Sequence, residues 1–169
     1  MPTLNFRDIP QSPLTRALGL IIDDYGNDGD RDQGCTWLTG HIDAGPEHHQ
    51  PMGIVHGAVY TGAVETAASV GATASVYHLG QYAVGVDNFT DFARPVTQGR
   101  LQVEARAAQQ GRTLQLWDVT ITDEAGKLVA KGRVRLAIRP RPDSAFDGAS
   151  DGPADGPADG AAGTAGGTG

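Results

Sequence analysis

Between Glu47 and Asp87 the chain carries a single formal charge, Glu65, set within the run 53–77, which is otherwise built almost wholly from Gly, Ala, Val, Ser and Thr. A run this long and apolar has few options. Its length alone could span a bilayer, but it has small residues in place of Leu, Ile and Phe, no flanking Lys or Arg, and a carboxylate near its middle. The reading that remains is a soluble helix enclosed by other structure. Gly62, Ala63, Ala67, Ala68 and Gly71 let a neighbouring backbone come close. A carboxylate placed there loses hydration with no partner nearby in sequence, so a chemical role for Glu65 becomes worth testing.

The flanks change period. Before the run, residues 17–22 and 34–42 read as strands, separated by the Asp-, Asn- and Gly-dense segment 23–32, a loop, with a short helix expected near 12–18. After it, 81–93 reads as a strand closed by Pro95 and Gly99. Leu101, Val103, Ala105 and Ala107 then alternate with Gln102, Glu104 and Arg106, the two-residue repeat of a half-buried strand. Turns at 110–111 and 123–127 introduce strands 113–122 and 128–138. Strand, strand, helix and four strands give an α+β class, one long central helix wrapped by a curved antiparallel sheet of about six strands.

Three segments are expected: an N-terminal piece 1–14, a domain over 15–140, and an acidic Gly/Ala/Asp/Pro tail 141–169 with no large apolar residue after Phe146, read as disordered. The net charge of −7 argues against nucleic acid or anionic membranes as partners. Cys35 is the sole cysteine, so no intrachain disulfide can form. His41, His48 and His49 lack a completing ligand at familiar spacing, so no metal is expected. No basic region followed by an apolar stretch opens the chain, and a cytoplasmic location is the default.

Pro46-Glu-His-His-Gln-Pro-Met-Gly-Ile-Val-His-Gly57 is a breaker-rich loop ending where the helix begins. The first amides of a helix lack internal partners, so the backbone at Gly57 and Ala58 can receive an oxygen that gains negative charge. Glu65 lies two turns further on, about 12 Å along an ideal axis. Both can serve one substrate only if the substrate bridges them or one of them comes from another chain. Ser69, four residues past Glu65, shares its face and can orient the carboxylate. The plainer alternative makes Glu65 a core acid paired with an Arg such as Arg94.

Gln50-Pro-Met-Gly-Ile-Val-His-Gly-Ala, followed by Glu65-Thr-Ala and Ser69, resembles the hotdog-fold acyl-CoA thioesterases over roughly residues 15–140. The likeness is to the phenylacetic-acid-pathway type and the 4-hydroxybenzoyl-CoA thioesterase subgroup with a helix-borne Glu. It implies hydrolysis of an acyl-CoA, aromatic or medium-chain, with no cofactor. Glu65 would be nucleophile or general base, Gly57 N–H would polarise the carbonyl, Gln50 would place thioester and water, and Ser69 would support Glu65. His56 would organise the loop. A homodimer or homotetramer with composite sites is implied as well. Arg94, Arg112 and Thr113 are candidates for the coenzyme A phosphates, and Asp87, Asn88 and Phe89 for the acyl pocket or the face toward the partner. One departure is Gly57-Ala58, where many relatives have Gly-Gly. A hotdog hydratase or dehydratase, and a non-catalytic acyl-CoA-binding protein, are the competing readings.

Overall fold

In a computed structural model, which describes residues 12–29 and 34–142, the small-residue run forms one long helix, α2 (Gly57–Val76). Its bare side chains decide how close the sheet comes. Ala63, Val64, Ala67, Ala68 and Ala72 are wholly buried. At Gly71 an added Cβ would sit 2.6 Å from the ring of Trp117, the largest side chain in the core. A larger residue there would push helix and sheet apart.

Among the described residues six strands wrap α2: β1 (Ile21–Gly26), β2 (Trp37–Ala44), β3 (Gln81–Phe92), β4 (Gly99–Gln110), β5 (Leu114–Thr122) and β6 (Leu128–Pro140). They form one antiparallel sheet in the order β1-β2-β4-β5-β6-β3. This is the expected α+β arrangement of a long central helix in an antiparallel sheet. Leu101, Val103, Val119, Ile121, Val134 and Leu136 point from the concave face onto α2. The convex face instead carries exposed ion pairs, Arg100–Asp43, Arg106–Glu104, Arg133–Asp118 and Arg135–Asp87. Each is solvated and adds little stability.

The first strand departs from expectation. The short helix expected near 12–18 forms as α1 (Pro13–Leu18), where Ser12 caps Thr15 N–H, Pro13 opens the helix and Gly19 at φ 68° ends it, so of residues 17–22 only Ile21 and Ile22 enter the strand. β1 begins at Ile21 and continues through Asp23 and Asp24, which read as loop. An edge strand tolerates these acids because their side chains find partners, Asp23 on His41 and Asp24 on the Tyr25 N–H. The proposed tail falls almost entirely outside the described residues, as does most of the N-terminal segment. No described helix is long and apolar enough to cross a membrane.

Candidate functional site at the start and flank of the central helix

The loop before α2 is stitched to its surroundings before it reaches the helix. A 3-10 turn at Pro46–His48 leads to a bridge between His49 and Val55, Val55 N–H donates to Val96 O, and His56 N–H donates to His48 O. The buried ring of His48 accepts the Gly45 N–H on Nδ1. His49 bonds Thr97 O through Nε2, and His41 pairs with Asp23. These histidines stand apart as loop and sheet fasteners.

His56 is the N-cap of α2, its Nδ1 accepting the Ala58 N–H at 2.9 Å. This narrows the expected oxyanion site, because the Ala58 amide is already used. Val59 N–H is used too, on His56 O. Among the described residues the Gly57 N–H has no acceptor, so one amide and the dipole of a 20-residue helix remain for a ligand. A Cβ at Gly57 would lie 2.6 Å from the ring of Phe92, so a larger residue there would displace that ring.

Beside Gly57 opens a cleft of about 270 Å³ lined by Gln50, Ile54, Tyr60, Phe92, Arg94 and Pro95, among others. The Tyr60 and Phe92 rings lie 5.9 Å apart at 49°. The Tyr60 hydroxyl is buried without a partner among the described residues, and burial pushes its pKa up, so it stays a neutral phenol. Gln50 uses its Oε1 to accept the Met52 N–H, which fixes the amide and leaves its NH2 group as the donor on the cleft wall.

Glu65 is partly rather than fully buried, because Thr61, Glu65 and Ser69 share the flank of α2 that faces only the edge strand β3. Its carboxylate is held by neutral donors. Asn88 Nδ2 donates to Oε2 at 3.0 Å, and Ser69 Oγ to Oε1 at 3.5 Å, a weak contact at the limit of hydrogen bonding. Arg94, the alternative partner, instead pairs with Asp123 at 3.4 Å. Glu65 Oε1 lies against the bare Cα of Gly85, where an added Cβ would overlap it.

The remaining candidates separate. Asn88 faces the helix, whereas Asp87 points to the convex face, pairing with Arg135 at 2.9 Å, and Phe89 is 70% exposed on that side. Arg112 and Thr113 lie at the β4–β5 turn, whose neighbours Gln110 and Gln115 reach Cys35 and Ser75 at the far end of α2. One protomer therefore does not bring them to Gly57. Gly85 was not singled out from sequence, since its role depends on which strand passes the helix flank.

Comparison with known proteins places these features in context. The family model described as the thioesterase superfamily matches residues 52–130. A proposed esterase of Mycobacterium tuberculosis is 40% identical over 126 residues, covering 73% of this chain and 84% of that one. Its solved structure superposes with a TM-score of 0.68 at 38% identity, over 78% of this chain and all of the other. A thioesterase structure from Haemophilus influenzae gives 0.67 at 26% identity, over 75% and 82%. A 1,4-dihydroxy-2-naphthoyl-CoA hydrolase of Listeria monocytogenes is 31% identical over 93 residues, 55% of this chain and 75% of that protein.

Proposed function

Because the chain belongs to the thioesterase superfamily and has its hotdog fold, we propose that it hydrolyses acyl-CoA thioesters, with Glu65 and the Gly57 N–H of a second copy meeting at one substrate. The observation that carries this reading is the state of Glu65. Its carboxylate is only partly buried, has an uncharged donor on each oxygen, and is paired with no cation among the described residues. A structural acid would be expected to have found an arginine.

The chemistry follows from the parts. Gly57 N–H, at the positive end of α2, donates to the thioester oxygen and stabilises the oxyanion as it forms. Glu65 either takes a proton from water as the water oxygen adds to the carbonyl carbon, or adds itself and gives an anhydride that water opens. Both routes break the C–S bond, release the coenzyme A thiol and leave the free acid. Neither needs a cofactor.

Within one protomer the two groups stand about 12 Å apart along the helix, and β3 leaves an open edge beside Glu65 with Val84, Val86 and Phe89 exposed. Pairing of two β3 edges would satisfy their open backbone groups and bring one helix start toward the other Glu65. This supports a homodimer, or a tetramer of two such dimers. The Tyr60 and Phe92 rings favour an aromatic acyl group in the cleft, in keeping with the phenylacetic-acid-pathway and 4-hydroxybenzoyl-CoA types. The name of the Listeria relative points the same way. Coenzyme A thioesters as substrates fit a cytoplasmic enzyme whose catalytic unit is 15–140.

The test is thiol release from a panel of phenylacetyl, 4-hydroxybenzoyl, naphthoyl and straight-chain coenzyme A thioesters. Turnover should be highest on an aromatic member and fall by about a thousandfold or more in Glu65→Gln, the scale set by losing a positioned base. Unchanged turnover in that variant removes the mechanism. Thermal stabilisation by acyl-CoA with no thiol released would instead support a binding protein.

A further inference from the structure

Strand β3 does not alternate cleanly past the helix. Ala83 and Gly85 face α2, and so do Asn88, Thr90 and Phe92. The parity changes because one residue is extra: Gly85 opposes Leu136 and Asp87 opposes Arg135, leaving Val86 as a bulge. A bulge re-aims every side chain beyond it. Without this one, Asp87 and Phe89 would look at the helix, and a second acid would confront Glu65.

The residue the bulge delivers has nearly all its polar capacity committed. Asn88 Nδ2 donates to Thr61 O at 3.1 Å and to Glu65 Oε2 at 3.0 Å, while its Oδ1 accepts from Thr90 Oγ1 at 2.7 Å. The three contacts also fix which end of the amide is nitrogen, since the reverse orientation would set oxygen against a carbonyl and a carboxylate. Such an amide is a clamp for one carboxylate oxygen, and it has no free N–H for a substrate. On the other side of the carboxylate, Gly85 offers a notch without a side chain.

We propose that Asn88 is a positioning residue for Glu65, placed by the bulge at Val86 and locked by Thr90. It acts through Glu65 without touching substrate, and the proposal rests on the hydrolase reading above. The carboxylate keeps a single rotamer on the flank of α2 beside β3, so the oxygen that meets water or the thioester is the one not held by Asn88.

Steady-state kinetics on the full-length protein with the best thioester of the panel separate the cases. Asn88→Ala should lower kcat by about 10- to 100-fold with KM and Tm little changed, the scale expected when a reacting group is misplaced by about 1 Å. Asn88→Asp, isosteric but a like charge beside Glu65, should lower kcat further. Thr90→Val, which leaves Asn88 in place but unlocked, should cost several-fold in kcat, again at constant KM. It also keeps the idea testable if an Asn88 variant folds poorly. A raised KM with kcat retained would make Asn88 a substrate contact and overturn the proposal, as would wild-type kcat in Asn88→Ala. If Glu65→Gln is inert while the Asn88 and Thr90 variants are fully active, only this inference fails. If Glu65→Gln is active, the hydrolase reading fails first.

Discussion

Adding one methyl group at Gly85 should separate activity from stability. The Cβ of Gly85→Ala would overlap Glu65 Oε1 and stand 3.3 Å from its Cδ. The carboxylate must therefore retreat by about 1 Å or more to regain ordinary van der Waals contact, and a glutamate side chain can do so by rotating. The retreat would stretch the 3.0 Å bond from Asn88 beyond hydrogen-bonding distance. A displacement of that size at a reacting group costs about a hundredfold in rate. The folded state has little reason to suffer, because Gly85 is exposed and does not lie in the left-handed region. Restricting the unfolded chain at such a position stabilises by about 0.4–1 kcal/mol. The expected result is a kcat near one hundredth of wild type beside a Tm that is unchanged or slightly higher, read from thiol release and thermal unfolding of the same preparation. Full activity in Gly85→Ala would refute the placement of Glu65. A loss of activity that merely tracked a fall in Tm would refute the separation.

Two further outcomes follow from the edge strand and from the lone thiol. Val84→Lys combined with Phe89→Lys charges the open β3 edge at two side chains that are 41% and 70% exposed in the protomer, so each chain should still fold. Light scattering should then find a smaller species without turnover, and a monomer that hydrolysed at the wild-type rate would exclude a shared site. Burial pushes the Cys35 thiol up to about 11 from 9.0. Its stabilising effect is therefore complete below pH 9 and is lost between pH 9 and 11, where the unfolded chain releases a proton the folded one keeps, at a slope of at most about 1.4 kcal/mol per pH unit. Cys35→Ser should flatten that part of a denaturation series measured against pH, and an unchanged slope would count against the assignment.

The sequence was informative where a single element decides the outcome. The small-residue run could be little else than a buried helix, and the alternation in 101–107 and 133–138 marked strands that β4 and β6 realise. The placement of Gly57, His56, Glu65 and Ser69 was legible because their spacing lies within one helix and its cap. The misreadings came where two elements meet. Two adjacent amides at Gly57 and Ala58 were expected to be free, but His56 turns back to cap the second. Asp87, Asn88 and Phe89 read as one group, yet the bulge sends Asn88 to one face of β3 and its neighbours to the other. Periodicity carries no mark of a single extra residue. Arg112 and Thr113 do form an exposed turn, but only the strand pairing reveals that within one protomer it lies at the opposite end of α2 from Gly57.

The extra residue in β3 also bears on how such a protein can change. Two chemical sets share that ribbon, an acidic and apolar series at 87, 89 and 91 and an amide, hydroxyl and aromatic series at 88, 90 and 92. They are offset by one position, so losing a single codon near Val86 would exchange them wholesale, whereas point mutation would have to rewrite them one at a time. Divergence at this wall beside Glu65 is therefore open to insertion and deletion, a route that comparison by aligned columns would register as a gap.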